Sequence, residues 1–164
     1  MQTFDDVARI AAELPEVAEG EEKRSGHRTW EVVGGRGFAW ERAFSKADIT
    51  RVGDEQPPSG EILAIRTADL AEKEAILAAA PDAFFTIPHF DRYPAYLVQL
   101  DQVSAEALRE ALVDAWLAAA PRPLAERYLG RLSQLRVTSA GYPSCLRYSS
   151  ERSRVTLLSR NLSC

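Results

Sequence analysis

The spacing of apolar positions changes several times along the chain, and each change marks an element. Phe4, Val7, Ala8, Ala11 and Leu14 recur with the i, i+3, i+4, i+7 spacing of one buried helix face. Thr3 stands ahead of them as an N-cap, Asp5 and Asp6 suit the positive helix end, and Pro15 closes the helix. From Trp30 the period drops to two. Trp30 and Val32 alternate with Glu31 and Val33, GGRG supplies residues that tolerate positive φ, and Phe38 and Trp40 alternate with Ala39 and Glu41. This predicts a hairpin with Arg36 at its tip. A loop follows at 53–60 (GDEQPPSG), then a strand over EILAIRTA and a helix over 69–80. In FFTIPHFDRYPAYLVQL, Pro88 and Pro94 cannot donate to a ladder, so the polar residues HFDRY form a corner between strands near 84–88 and 95–100. Ser104 then caps a helix striped by Leu108, Ala111, Leu112, Ala115, Trp116 and Ala119. Pro121 and Pro123 end it, and a short helix over 124–132 turns Leu124, Tyr128, Leu129 and Leu132 inward.

The predicted order is α-β-β-β-α-β-β-α. Adjacent strands between helices favour an antiparallel sheet with helices packed on one face, an α+β domain. At 164 residues the chain suits one such domain, placed at 1–131, with 132–164 as a Ser/Arg-rich extension expected to be mobile. No window is apolar enough to cross a membrane, and the start MQTFDDVARI lacks a basic leader, so the expected location is cytoplasmic.

Charge divides unevenly. The net charge is −4, yet residues 1–121 hold 12 basic and 22 acidic side chains while 122–164 hold 8 and 2. Within the first part, Lys23, Arg24, Arg28, Arg36, Arg42, Lys46 and Arg51 face only Glu31, Glu41 and Asp48 over 23–51. A local field of this kind matters to polyanions within a Debye length of about 8–10 Å.

Catalytic and metal chemistry find little support. Cys145 and Cys164 have neither CxxC spacing nor a nearby histidine. GGRG lacks the following helix and Lys–Ser/Thr pair of a phosphate loop. His89 and Asp91 read as a turn pair, too few for a metal that takes three or four ligands. Asp5, Asp6 and Glu13 could suggest iron only by fold analogy, since acids at a helix start also serve its dipole. The expectation is a protein without cofactor, metal or enzymatic activity.

Three blocks carry a resemblance: WEVVGGRGFAWERAFSKAD at 30–48, FFTIPHFDRYPAYLVQL at 84–100 and LVDAWLAAAPRPLAERYL at 112–129. Together they resemble the MmcQ/YjbR family of small bacterial proteins with a CyaY-like fold, over residues 3–131. Pro123 departs from the basic residue that relatives present in an APKR-like stretch. The resemblance implies weak double-stranded DNA binding through a double wing of hairpins. Carried onto this chain, the wings place Arg28, Arg36, Arg42, Lys46, Arg51 and Arg92 on phosphates. The alternative is a protein- or small-ligand-binding module, with Trp40, Phe44, His89, Phe90 and Tyr93 lining a groove at the hairpin and corner. Oligomeric state has no signature in the sequence.

Overall fold

The structure is a computed structural model and describes residues 1–45, 48, 60–79 and 82–138. The chain divides into two compact units, Met1–Arg122 and Pro123–Cys164. The first contains α1 (Phe4–Ala12), β1 (Val17–Glu21), β2 (Arg28–Val32), β3 (Gly37–Glu41), β4 (Ile62–Arg66), α2 (Leu70–Ala79), β5 (Phe84–Phe85), a 3-10 turn (Pro88–Phe90), β6 (Ala95–Gln99) and α3 (Ala105–Ala119). The six strands form one antiparallel sheet in the order β1-β2-β3-β4-β6-β5. The fold class is therefore α+β, as the alternation of strand runs with helices predicts.

Register assigns each side chain to a face. The row Trp30, Ala39, Ile65 and Tyr96 crosses the sheet on one side. Trp30 stacks on Phe4 of α1 with ring centroids 6.4 Å apart, so this is the face that α1 covers. Helix α3 lies across β2, β3 and β4 and packs on α1, and its Trp116 indole donates to the Pro15 carbonyl at 3.0 Å. Trp30, Ile65, Tyr96, Leu108, Leu112 and Trp116 are all buried here. The second row, Thr29, Trp40, Ala64, Leu97 and Phe85, faces the other way. It meets Ile87 and Phe90 in a smaller apolar cluster.

Caps fall where side-chain chemistry puts them. Thr3 and Asp6 form a reciprocal capping box at α1, and the Glu61 carboxylate accepts from the Phe4 amide at 2.8 Å. Ser104 accepts from the Ala107 amide at the start of α3.

Three elements differ from expectation. Strand β1 is additional: its five residues are half-buried or exposed, so it lacks the apolar alternation that signals a strand. The run near 84–88 pairs only at Phe84–Phe85, because Pro88 opens the 3-10 turn. The final helix, α4, spans Arg122–Thr138, through the 131/132 point where the resemblance stops. Its Leu124 is buried and Tyr128 and Leu129 are half-buried, whereas Leu132 is 36% exposed. The loop residues 53–59, both cysteines and residues 139–164 lie outside the described residues.

Candidate functional site

The hairpin cations do not share a face. Arg28 belongs to the helix-bearing side, with its guanidinium 5.4 Å from the Trp30 ring centroid. It donates to Glu19 and to Asp5, each at 2.8 Å, and these two carboxylates raise its already high pKa. Arg42 lies on the opposite side, 5.9 Å from the Phe90 ring centroid. Only 18% of its side chain is exposed; it pairs with Asp48 at 2.7 Å and donates to the Ala43 carbonyl. Arg36 stands at the other end of β3, about 20 Å from Arg42 at ~3.3 Å per strand residue. Lys46 and Arg51 lie outside the described residues.

Nor is the hairpin tip a free wing. Gly34 takes φ +74, which a glycine adopts without strain. A Cβ on Gly35 would lie 2.9 Å from the Ala119 carbonyl oxygen, so the turn sits directly on the C-terminal end of α3. Arg36 donates to the Ala118 carbonyl at 3.2 Å. A guanidinium there satisfies one of the carbonyls left open at a helix end and suits its negative pole. The positive charge at the tip thus also serves the helix.

The groove residues, by contrast, do come together. Trp40 stacks on Phe90 with centroids 6.4 Å apart, and Tyr93 meets both rings edge-on at 6.2 and 5.9 Å. Phe44 packs on Phe85 at 6.2 Å, and His89 meets Phe90 at 5.7 Å. Phe90 is buried, Trp40, Phe44 and Phe85 are half-buried, His89 is exposed and Tyr93 is 40% exposed. The set is therefore a packed cluster with an open rim, not an empty cleft.

Two residues that sequence reasoning passed over organise this corner. Arg66, at the end of β4, lies 5.7 Å from the Trp40 centroid and 5.4 Å from that of Tyr93. It donates to the Tyr93 hydroxyl at 2.9 Å and to the Gly37 carbonyl at 2.7 Å. Lys73 of α2 is only 4% exposed, and its ammonium donates to the Phe90 carbonyl at 2.5 Å and towards that of Tyr93 at 3.5 Å. Burial lowers its pKa, opposed by the fields of Asp91 and Glu74. A lysine inside an alanine- and glutamate-rich helix reads as solvated, so only the fold discloses its role. Arg92 is exposed beside Tyr93 and has no ion pair among the described residues.

Among the described residues no group of three or more His, Cys, Asp or Glu could hold a metal, and no helix is long and apolar enough to cross a membrane. His89 lies within the 3-10 turn and Asp91 caps its C-terminal end, where the Asp91 amide donates to the Pro88 carbonyl at 3.3 Å.

Fold and site together define a small α+β protein with an antiparallel six-stranded sheet and an aromatic corner. No family model matches the chain. The uncharacterized proteins Rv2570 of Mycobacterium tuberculosis and Mb2600 of Mycobacterium bovis are each 43% identical to it over 132 residues, covering 79% of this chain and 97% of theirs. The chain belongs to the family of these mycobacterial proteins. It is also similar to the crystal structure of Deinococcus radiodurans protein DR2400, a DUF419 domain, with a TM-score of 0.51 and 27% identity over 71% of this chain and 78% of that one.

Proposed function

We propose that this chain is a non-enzymatic, cytoplasmic binding protein of the MmcQ/YjbR family, and that its ligand surface is the corner at residues 87–93 with Arg66. The likeness to a DUF419 domain and the three sequence blocks support the family reading. The observation that carries the surface is Tyr93, which is 40% exposed while its ring, its hydroxyl and its backbone are all held, by Trp40, Arg66 and Lys73. An aromatic ring fixed in position loses little entropy on binding, which favours recognition of a protein or small-molecule ligand.

DNA binding is the second reading, and Arg92 favours it. Around the corner, Arg42, Arg66, Lys73 and Arg92 outnumber Asp48, Glu74 and Asp91. Duplex contact there would be to phosphate and weak, about 10⁻⁴–10⁻⁶ M, falling steeply with salt.

One titration series separates the readings. A short duplex and a library of aromatic fragments are each added to wild type, Tyr93→Ala, Arg92→Ala and Arg36→Ala/Arg42→Ala, with amide resonances followed at low and high salt. The corner reading requires fragment binding that Tyr93→Ala removes. The DNA reading requires salt-sensitive duplex binding that Arg92→Ala weakens. Duplex binding lost only in Arg36→Ala/Arg42→Ala returns the site to the hairpin, and no binding of either probe defeats both readings.

A further inference from the structure

Strand β1 ends the sheet, and its backbone has a definite polarity. The Val33 amide donates to the Glu16 carbonyl and the Glu22 amide to the His27 carbonyl, both at 2.8 Å. Positions 16, 18, 20 and 22 therefore direct their N–H and C=O groups towards β2, because hydrogen-bonded pairs alternate along an antiparallel ladder. Val17, Glu19 and Glu21 direct theirs away from the sheet, and no strand pairs with that edge among the described residues. The β1–β2 register runs unbroken over five pairs, whereas β2–β3 is interrupted at Trp30/Glu31. Three donors and three acceptors thus stand in a straight row, ready for an added strand.

Gly20 is a second, independent sign. A glycine within a strand costs conformational entropy and packs nothing, and where it occurs it often marks close approach by another backbone. The fold itself makes no demand for it. Gly20 is not at positive φ, and a Cβ there would meet only the Thr29 hydroxyl, at an ordinary 3.5 Å. With Ala18 on the same side of the strand, it leaves a shallow shelf one residue deep.

Charge selects the occupant. Glu19 and Glu21 project on the opposite side from the shelf, where Arg28 pairs with Glu19 and Asp5 at 2.8 Å each, so that Asp5, Glu19 and Glu21 stand against one cation, and Glu22 follows at the strand end. Glu21 is exposed and has no ion-pair partner among the described residues. Two copies joined edge to edge would set like charges across from each other, a destabilising arrangement at Cβ separations of about 4.5–5.5 Å. A row of glutamates would deter such pairing with any residue at position 20, so protection alone does not account for the glycine. The geometry points to β1 as a docking strand for a basic, extended peptide segment, with Lys or Arg at alternate positions opposite Glu19 and Glu21 and larger side chains between them over Ala18 and Gly20.

The probe is a short peptide alternating Lys with Val, compared with one alternating Glu with Val, added to the full-length protein and followed by amide NMR. The Lys peptide is expected to shift Val17, Glu19 and Glu21 and slow their hydrogen exchange, and the Glu peptide to leave them unmoved. Gly20→Val fills the shelf and Glu21→Lys reverses the charge; each is expected to weaken binding at least tenfold. Gly20→Val is expected to hold or raise the melting temperature, since its Cβ makes only an ordinary contact with the Thr29 hydroxyl. Unmoved β1 amides with the Lys peptide, or wild-type affinity in Gly20→Val, would overturn the proposal. So would a concentration-dependent dimer that moves the same amides without peptide, which would give the edge to a second copy.

Discussion

Asp48 offers a direct measure of how firmly Arg42 is held. One carboxylate oxygen accepts from Arg42 at 2.7 Å, from the Ser45 hydroxyl at 2.7 Å and from the Ser45 amide at 2.9 Å, and 3% of the side chain is exposed. Burial by itself would raise the pKa; the Ser45 hydrogen bonds and then Arg42 together outweigh it and bring the group from 3.8 down to about 2. At about 1.4 kcal/mol per unit, that gap corresponds to about 2 kcal/mol of folding stability. Because the folded-state pKa is the lower one, the contribution is complete well above pH 3.8 and disappears as pH falls through about 2. Asp48→Asn keeps the shape and an acceptor but removes the charge. Urea unfolding of wild type and variant should differ by about 2 kcal/mol at pH 7, by about half that at pH 3 and by a few tenths at pH 2. A difference that stays constant with pH would show that packing, not ionisation, is what Asp48 supplies. No difference at pH 7 would refute the ion pair as a stabilising contact and free Arg42 for other partners.

The remaining predictions concern fixed points of the fold. Gly35→Ala places a methyl 2.9 Å from the Ala119 carbonyl oxygen and 3.1 Å from the Val32 Cβ, so the turn must withdraw from α3; a loss of about 1–3 kcal/mol in chemical denaturation is expected. Lys73→Met leaves the Phe90 and Tyr93 carbonyls with only their backbone donors, the Tyr93 and Ala95 amides, and faster hydrogen exchange at those two amides should report the loss of the ammonium. Arg109→Ala breaks the pair with Glu13 at 2.7 Å, but both side chains are about half exposed, so the unfolding midpoint should change by less than about 1 kcal/mol equivalent.

Much of the fold could be read from the apolar pattern, since α1, α3 and the β2–β3 hairpin bury spaced apolar positions and β4 and β6 bury continuous apolar runs. Strand β1 could not, because an edge strand that buries little carries no alternating pattern. The candidate site was legible in a different proportion. Trp40, Phe44, Phe90 and Tyr93 sit in two blocks about fifty residues apart and do converge, as their aromatic character suggests. The cations mislead because counting charges over 23–51 is blind to residues brought in from elsewhere: Asp5 reaches Arg28 across 23 positions, and Arg36 finds a carbonyl 82 positions away. Strand parity alone could have separated Arg28 from Arg42, since paired strands put Trp30 and Trp40 on opposite faces. Nothing local marks Lys73 or Arg66 as the groups that hold the corner.

The seating of α3 on the sheet sets an order of events during synthesis. Trp30, Ala39 and Ile65 emerge early, but the helix that lies across their strands is complete only at Ala119. At ~5–20 residues per second, roughly 4–16 s separate translation of the hairpin from that of its cover. For that interval the hairpin's apolar side chains lack the cover of α3, and the glycine turn meets its helix end only when that helix arrives.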